Sequence, residues 1–413
     1  MNTSPSFKEL LALPNFRKLW TSQLLSQLTI NLVNFSILIH IYAYTRSSIA
    51  VSLLWVAYSL PSLFLAPFSG VIVDRFSLKR MMLVTNILQG LTVLTFLAFT
   101  RHIFLLYSLV FIYSFLDQFY VPAQQSSVPW LVPPQLLTAA NGIFFLTQQA
   151  SFLLGFGLAG LLIQFIGQTP TIILAASFLF IAAAAVFLLP ADTERIRVEK
   201  YALTRFLEDF KSGYEFVKNH HQIRFPVYLS VAAQIMLTVI TITMPSYTRE
   251  VLGVNLSRAS LLLIIPAGLA AVIFTYLLPR LLKNRRKIHI VKFGTLSAAI
   301  SLMLLAWLGF TGGYRFVLSI LTAIGLGISF AAVITPAQTA IQEHTPPEYR
   351  GRIYSFLGLL MTIFTLIPLL AAATLADLIG IAPIMGAFSL LIFIGYLMIH
   401  YKGDYVLANG FGF

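Results

Sequence analysis

The segment GVIVDRFSLKR, from Gly70 to Arg80, is the most informative short segment of the chain. It follows a long apolar run and brings together an acid, an arginine and a Lys-Arg pair. Gly70 has no side chain, so a neighbouring helix can approach its backbone closely. Asp74 can pair with basic groups or face the partly positive N-terminus of another helix. The stretch therefore indicates the end of an apolar helix at a charged junction, and its role depends on the rest of the chain.

The composition is that of a chain whose main solvent is lipid. Of 413 residues, 58% are hydrophobic and 10% are charged, whereas a soluble domain carries about 25% charged residues. The windows between the charges suit helices that cross a bilayer, which need about 20 mostly apolar residues. Twelve spans result, with the window 118–191 broken into two by turn-rich segments: 19–45, 47–73, 81–100, 102–116, 118–191, 225–248, 259–279, 293–314, 316–342, 353–376 and 378–401. The sequence predicts an all-α polytopic membrane protein with twelve transmembrane helices in two pseudo-symmetric six-helix bundles.

A net charge of +13 would suggest a nucleic-acid partner in a soluble protein. Here most of the 27 basic residues fall in alternate loops, on the side that also holds both termini. By the positive-inside rule, this bias predicts cytoplasmic N- and C-termini in a plasma membrane, and it removes the reason to expect nucleic acid. The chain has no cysteine, so it forms neither disulfides nor thiolate metal sites, and we expect no metal.

The longest internal loop divides the spans six and six. We expect an N-terminal bundle at 1–189, a cytoplasmic linker at 190–224, a C-terminal bundle at 225–402 and a short cytoplasmic tail at 403–413. In the linker, apolar residues recur every three or four positions, as in an amphipathic helix on the inner leaflet: Leu203, Phe206, Phe210, Tyr214 and Val217. A plain linker helix and a regulatory helix both fit this pattern.

The two halves have the pattern of diverged copies of one unit. Gln27 in span one corresponds to Gln234 in span seven. The segment YVPAQ at 120–124 is echoed by ITPAQ at 334–338, and a Pro-Pro pair follows each of them. An even number of spans per half gives the copies the same orientation, related by an axis along the membrane normal.

These features place the opening stretch at the inner junction of spans two and three. There the chain resembles the major facilitator superfamily, whose signature in this loop is Gly-x-x-x-Asp-Arg-x-x-x-basic-basic. Its positions are filled by Gly70, Asp74, Arg75, Lys79 and Arg80. The resemblance implies a cytoplasmic gate motif that latches the inner side shut and opens during transport. The alternative is that these charges only set the topology.

Asp117 is an acid within span four, a little before its inner end. A charged acid in hydrocarbon costs about 3 kcal/mol on insertion scales unless it is paired or protonated. The family resemblance implies that Arg75 or Arg80 is its partner, so a structural salt bridge and a protonatable coupling site both remain open. We interpret Asp377 as an interfacial residue and Glu343 as a cap at the inner end of span ten.

Three spans carry polar stripes on otherwise apolar helices. At about 100° per residue, the stripe of span one falls within an arc of about 80°. It consists of Gln23, Gln27, Asn31 and Asn34. Span seven adds Gln234, Thr238 and Thr241, and span ten adds Thr335, Gln338, Thr339 and Gln342. Amides that face lipid would lack partners, so the stripes are either polar glue between helices or the lining of a shared substrate cavity.

Span five, GIFFLTQQASFLLGFGLAG, resembles the antiporter motif of the superfamily, which is associated with export. Small residues stand at five of its positions: Gly142, Ser151, Gly155, Ala159 and Gly160. Phe156 departs from the motif, since it replaces a proline that would kink the helix. We expect Gln148 or Gln149, which lie between the first two of these positions, to reach the substrate cavity.

Together these observations favour a secondary active transporter that works by alternating access and is not an enzyme. Amides, hydroxyls and aromatic rings without basic residues suit hydrophobic or amphipathic small molecules. We therefore expect proton-coupled efflux by a monomer, as in drug, macrolide or siderophore exporters. The sequence lacks a P-loop, so it implies neither ATP nor a cofactor, and the proton gradient is the expected energy source. A lipid or lysolipid translocator, an importer of this fold and a non-transporting membrane sensor or partner-binding subunit remain open.

Overall fold

The computed structural model describes residues 7–99, 102–191, 202–254, 256–284, 286–308 and 314–401. Every regular element within these ranges is helical. The α-helices are α1 (Phe7–Ala12), α2 (Pro14–Thr45), α3 (Ser48–Asp74), α4 (Leu78–Thr95), α5 (Ile103–Leu131), α6 (Leu137–Ile166), α7 (Gln168–Phe187), α8 (Ala202–Asn219), α9 (His221–Glu250), α10 (Leu256–Ala259), α11 (Ile265–Asn284), α12 (Lys287–Trp307), α13 (Arg315–His344), α14 (Pro347–Ile379) and α15 (Ile381–Tyr401). A 3-10 turn precedes α6, and a π-helical turn at Ser260–Ile264 joins α10 to α11.

Twelve long apolar spans were expected, and eleven helices among the described residues are long and apolar enough to cross a membrane. The remaining long helix of the twelve is α4, which occupies most of the window 81–100. Its 18 residues include Lys79 and Arg80 and the buried polar side chains of Asn86 and Gln89. Such side chains are tolerated in a span where protein rather than lipid surrounds them. The twelve-span architecture is thus confirmed as eleven apolar helices and one polar helix.

The chain forms two compact units. Unit 1 comprises Met1–Ala43 and Leu53–Thr204, and unit 2 comprises Tyr44–Ser52 and Arg205–Phe413. Helices α4 to α7 lie in unit 1, and α9 to α15 lie in unit 2. The boundary falls inside α3, because its first turn belongs to unit 2 and the remainder belongs to unit 1.

One turn in each unit shows the internal repeat directly in the backbone. In unit 1 a single residue, Gly167, separates α6 from α7, with φ 87° and ψ 170°. In unit 2 a single residue, Gly380, separates α14 from α15, with φ 83° and ψ 169°. Glycine is favoured here because a side chain would be strained at positive φ. The same unusual turn at corresponding points indicates two copies of one bundle.

Helix α2 is the central helix of unit 1. In the most apolar stretch of α2, 67% of the residues are buried inside the protein. The corresponding share is 11% for Ser260–Leu282, which includes most of α11. The core of unit 1 joins Leu19 of α2 to Val73 of α3, Tyr120 of α5 and Phe144 of α6. Polar groups on α2 are therefore held against protein, whereas few residues of α11 are fully buried.

The linker helix α8 was expected to lie on the inner leaflet, but part of its apolar stripe packs on α14. The Phe210 ring lies 5.2 Å from the Phe356 ring, centroid to centroid. Val217 is buried in a cluster with Ile353, and Tyr214 remains half exposed. The side chains of Leu203 and Phe206 lie outside the described residues.

The backbones of α8 and α14 also approach each other closely. A Cβ at Gly213 would lie 2.8 Å from the carbonyl oxygen of Arg352, which is closer than a side chain tolerates. The Arg352 guanidinium donates a hydrogen bond of 3.3 Å to the Ser212 hydroxyl. Because a glycine permits this approach, α8 is seated on α14.

Candidate functional site

The polar face of α2 begins at a close contact with α6. A Cβ at Gly155 would overlap with the Cβ of Asn31, so the glycine lets the two helices approach. Asn31 donates its amide to the Gln27 carbonyl oxygen at 2.7 Å, within its own helix. Gln23 donates to the Phe144 carbonyl oxygen at 3.1 Å. At Gln23 the stripe therefore contributes a hydrogen bond between α2 and α6.

The rest of the predicted stripe on α2 is held inside unit 1 to different degrees. Asn31 is 9% exposed and Asn34 is 5% exposed, whereas Gln27 is only half-buried. Gln148 and Gln149 of α6, which were expected to reach a cavity, are both exposed. The stripe thus has a buried part that packs against α6 and an accessible part at Gln27.

A second polar region, which the sequence analysis did not identify, joins α2, α4 and α5. The Ser22 hydroxyl lies 2.9 Å from the Tyr120 hydroxyl, and Asn86 donates its amide to Ser22 at 3.2 Å. All three side chains are fully or almost fully buried. The spacing of Asn86 and Gln89 on one face of α4 could have signalled this region, since residues three apart on a helix are neighbours.

Asp117 lies at the edge of this region. Gln89 donates its amide to the Asp117 carboxylate at 3.5 Å and to the Tyr113 carbonyl oxygen at 3.4 Å. Arg75 and Arg80, the partners implied by the family resemblance, are exposed, and the ion pairs found among the described residues do not include Asp117. Of the two alternatives, this structure has no salt bridge at Asp117 within that part of the chain, and an amide of α4 stands beside the acid.

Two buried amide oxygens of α4 make no hydrogen bond within the described residues. They are the Asn86 Oδ1 and the Oε1 of Gln89, the residue that donates to Asp117. A buried polar atom left without a partner costs about 1–3 kcal/mol, and ordered water is a common solution in folded proteins. Unpaired acceptor oxygens next to an acid make this region, which we name the Asp117 cluster, suited to hold a water molecule or a hydrated proton.

The gate motif is only partly described. Lys79 donates to the Leu189 carbonyl oxygen, and its ammonium lies 5.5 Å from the centroid of the Phe187 ring. It therefore ties the start of α4 to the end of α7 within unit 1. The surroundings of Gly70 and the side chain of Asp74 lie outside what the structure describes, so the role of the motif stays a prediction.

The antiporter-like positions on α6 differ in how tightly they are packed. Ser151, Gly155, Ala159 and Gly160 are buried, and Gly155 makes the close approach to α2. A Cβ at Gly142 would meet nothing within 4 Å. Close packing therefore needs a small residue at Gly155 but not at Gly142.

The polar stripes of unit 2 are half-buried. Gln234 and Thr238 of α9 and Gln338 of α13 are neither fully buried nor fully exposed. The Thr238 hydroxyl donates to the Gln234 carbonyl oxygen at 2.9 Å, and Thr339 bonds its own helix in the same way. The hydroxyls are satisfied within their helices, which leaves the amides of Gln234 and Gln338 as the groups available to a ligand.

Asp377 proves to be more than an interfacial residue. Its carboxylate accepts hydrogen bonds from the backbone N–H groups of Ser48 at 2.7 Å and Ile49 at 3.1 Å, and from the Ser47 hydroxyl at 2.6 Å. The Ser48 hydroxyl lies 2.6 Å from the Ser246 hydroxyl of α9. An acid at the positive end of a helix is favourable, so Asp377 fastens the first turn of α3 to α14. We call this contact the Asp377 clasp.

Glu343, expected to cap the inner end of its span, forms an ion pair with Lys287. The pair joins the end of α13 to the start of α12.

The geometry can be set beside known proteins. Residues 19–368 match the family model described as the Major Facilitator Superfamily. The chain belongs to this superfamily. Membership makes it a multi-pass membrane transport protein rather than an enzyme.

Other members of the Major Facilitator Superfamily resemble the chain over most of its length. The MFS-type transporter YfiS of Bacillus subtilis (strain 168) is 25% identical over 81% of this chain and 80% of its own. Macrolide efflux protein A of Streptococcus pyogenes is 24% identical over 89% of this chain and 90% of its own.

The fold is also that of solved members. A bacterial homologue of the human lysosomal transporter Spinster superposes with a TM-score of 0.71, covering 99% of each chain at 14% identity. A likeness at this identity shows the fold alone, and the architecture predicted from the sequence is thereby confirmed.

Proposed function

We propose that the chain exports hydrophobic or amphipathic small molecules from the cell and couples their exit to proton entry. Its place in a transporter superfamily supplies the general activity, and its similarity to macrolide efflux proteins favours export and apolar cargo. The accessible stripe residue of unit 1 is Gln27, and the partly accessible ones of unit 2 are Gln234, Thr238 and Gln338. They offer amides and a hydroxyl without basic side chains. Such walls bind large, weakly polar compounds rather than anions.

The observation that carries the coupling proposal is the Asp117 cluster. An ionised acid within a span is costly, and Asp117 has an amide neighbour in place of a cation among the described residues. Protonation removes the charge, and the unpaired oxygens of Asn86 and Gln89 can accept hydrogen bonds from the incoming proton or its water. Asp117 would therefore take up a proton in one state of the transport cycle and release it in another.

The test is proton movement in proteoliposomes driven by a substrate gradient. Asp117→Asn is expected to abolish the substrate-driven pH change, since the amide cannot exchange a proton, while substrate still binds. Glu215→Gln is the matched control, because Glu215 sits in an exposed i,i+4 pair with Lys211, which contributes little. Full proton movement in Asp117→Asn would refute the coupling role.

The inner gate is proposed to be the motif Gly70, Asp74, Arg75, Lys79 and Arg80. Its support is the match to the superfamily signature and the anchoring of Lys79 at the end of α7. We expect Asp74→Asn to raise the labelling of inner-side positions and to lower the transport rate about tenfold or more, since the closed inner state would lose its latch. Unchanged labelling and rate would leave the motif as a topology signal.

The proposal also covers the direction of transport and the orientation of the chain in the membrane. We infer a monomer in a bacterial plasma membrane with both termini cytoplasmic, from the positive-inside bias and the bacterial relatives. Everted vesicles should accumulate substrate when acidified inside, because their inner space corresponds to the cell exterior. Accumulation only in right-side-out vesicles would indicate an importer.

A further inference from the structure

Five aromatic side chains of unit 1 meet around Phe156. The cluster consists of Phe35 of α2, Trp55 and Tyr58 of α3, and Phe152 and Phe156 of α6. The Phe156 ring lies 4.8 Å from Phe152, 5.3 Å from Phe35 and 6.3 Å from Trp55, on which it stacks at 18°. The Trp55 and Tyr58 rings stand edge to face at 6.4 Å. Phe156, which replaces the proline of the antiporter motif, is the hub of this aromatic cluster.

The backbone explains why the rings meet. Gly155 allows α2 and α6 to touch at Asn31. Phe35 lies one helical turn beyond Asn31, and Phe156 directly follows Gly155, so the same approach brings the two rings together. A proline at position 156 would have kinked α6 and removed the hub.

The aromatic cluster also contains a polar hydrogen that the protein leaves unused. The Trp55 indole Nε1 is buried and makes no hydrogen bond within the described residues. A buried Trp N–H usually finds a partner. Trp20 of the same unit does so, because its Nε1 donates to the Thr147 hydroxyl at 2.8 Å. A purely structural aromatic core would not be expected to bury an indole donor without an acceptor.

Exposure separates the interior of the cluster from its border. Phe35 and Phe156 are 0% and 3% exposed, whereas Trp55, Tyr58 and Phe152 are half-buried. The first two rings form a fixed backing, and the other three retain accessible faces. A flat ligand can stack on those faces at a spacing that aromatic pairs prefer.

We propose that the aromatic cluster is a substrate subsite for uncharged planar ring compounds that carry a hydrogen-bond acceptor, such as a ring ketone. The ring stacks on Trp55 and Phe152, and the acceptor oxygen takes the hydrogen bond of the Trp55 indole. The unused indole N–H is a donor only, which favours an acceptor on the ligand over an ammonium group. The inference rests on the proposed function in one respect, that the ligand is transported cargo.

The probe is a matched pair of ligands and two variants of the full chain in detergent. Tritiated flavone has planar rings and a ketone, and unlabelled 2-phenylnaphthalene has a similar shape without an acceptor. We expect Trp55→Phe to weaken flavone binding about tenfold, a typical effect for one buried hydrogen bond, while competition by 2-phenylnaphthalene is unchanged. Phe156→Ala should weaken both ligands, since the backing of the rings is lost.

Trp20→Phe is the matched control, because it removes an indole N–H that already has a partner in Thr147. It should leave the binding of both ligands unchanged, and size-exclusion profiles should show that all variants remain folded. Equal losses for the two ligands in Trp55→Phe would overturn the hydrogen bond to Trp55. Absence of saturable flavone binding to the unaltered chain would overturn the subsite.

The outcomes also separate this inference from the proposed function. If Asp117→Asn loses proton movement while Trp55→Phe binds flavone normally, the subsite is refuted and the coupled exporter stands. If flavone binds through Trp55 but no proton movement accompanies transport by the unaltered chain, the coupling is refuted and the subsite stands.

Discussion

The interface between α4 and α5 in unit 1 and that between α12 and α13 in unit 2 occupy corresponding places in the two copies. In unit 1 the helices meet through large polar side chains, with Gln89 of α4 bonded to Asp117 and to the backbone of α5. In unit 2 they meet through small residues, and a Cβ at Gly294 would lie 2.8 Å from the Cβ of Ala332. The α4–α5 interface of unit 1 thus contains an ionisable side chain, whereas the corresponding α12–α13 interface of unit 2 is closely packed through small residues.

The internal repeat makes the contrast specific. With YVPAQ aligned to ITPAQ, Tyr113, Asp117 and Tyr120 of α5 correspond to Gly327, Ala331 and Ile334 of α13. The polar face of α5 is therefore replaced by a small and apolar face. The two copies thus share helix order and turns, while a few side chains determine which copy carries the buried acid.

The largest expected effect is on packing in unit 2. A Cβ at Gly327 would overlap with the carbonyl oxygen of Ala267, and a backbone atom cannot move aside as a side chain can. Gly327→Ala should lower the free energy of unfolding by about 3 kcal/mol or more, measured by thermal unfolding in detergent. Gly358→Ala is the control, since a Cβ there meets nothing within 4 Å. Equal stability of the two variants would mean that the contact between α11 and α13 at Gly327 is loose.

The next effect tests whether the charge can be moved to the other copy. Ala331 is 3% exposed, so Ala331→Asp buries an acid in a dry interface at a cost of about 3 kcal/mol. We expect lower stability and no proton coupling when this change is combined with Asp117→Asn.

Coupling restored by the double variant would erase the distinction between the two halves. Ala331→Asn is the matched control for the same experiment, because it adds a polar side chain of similar size without an acid. If protons moved with Asp at position 331 but not with Asn, the restored coupling would be due to the acid itself.

The smallest effect concerns the Asp377 clasp. Asp377→Ala removes the acceptor for the N–H groups of Ser48 and Ile49 and should cost about 1 kcal/mol, as for other helix caps. Val51 is fully buried and the chain has no cysteine, so Val51→Cys reports opening of the first turn of α3. Labelling should rise about fivefold in Asp377→Ala and less in Asp377→Asn, which keeps one acceptor oxygen. Unchanged labelling would show that the Ser48–Ser246 contact alone holds the turn.

Much of the fold could be predicted from the sequence, because a helix that crosses a bilayer needs a long apolar segment that is visible in the sequence. Long charge-free windows located the spans, and the repeat identified two bundles. Hydropathy fails at α4, because Asn86 and Gln89 are surrounded by protein rather than lipid, and only the partner helices reveal this.

The candidate site was less predictable because it depends on which helices are neighbours. Asp117 was identified as an unusual acid, but its amide neighbour was missed, since Gln89 carries no charge that a sequence scan would notice. Phe156 was noted only as a departure from a motif, while its ring contacts arise from α2 and α3. Likewise, the acceptor role of Asp377 became visible only when Ser48 was seen beside it.

The packing of α8 on α14 shortens the segment of chain that is free to connect the two halves. If all of 190–224 were free, at about 3.5 Å per residue it could reach roughly 120 Å. With α8 held through Gly213 and Phe210, the stretch joining it to α7 is 188–201, with a reach of about 50 Å. A tag or cleavage site inserted in 188–201 would change only the length of this connection. The same insertion within α8 would first have to separate α8 from α14.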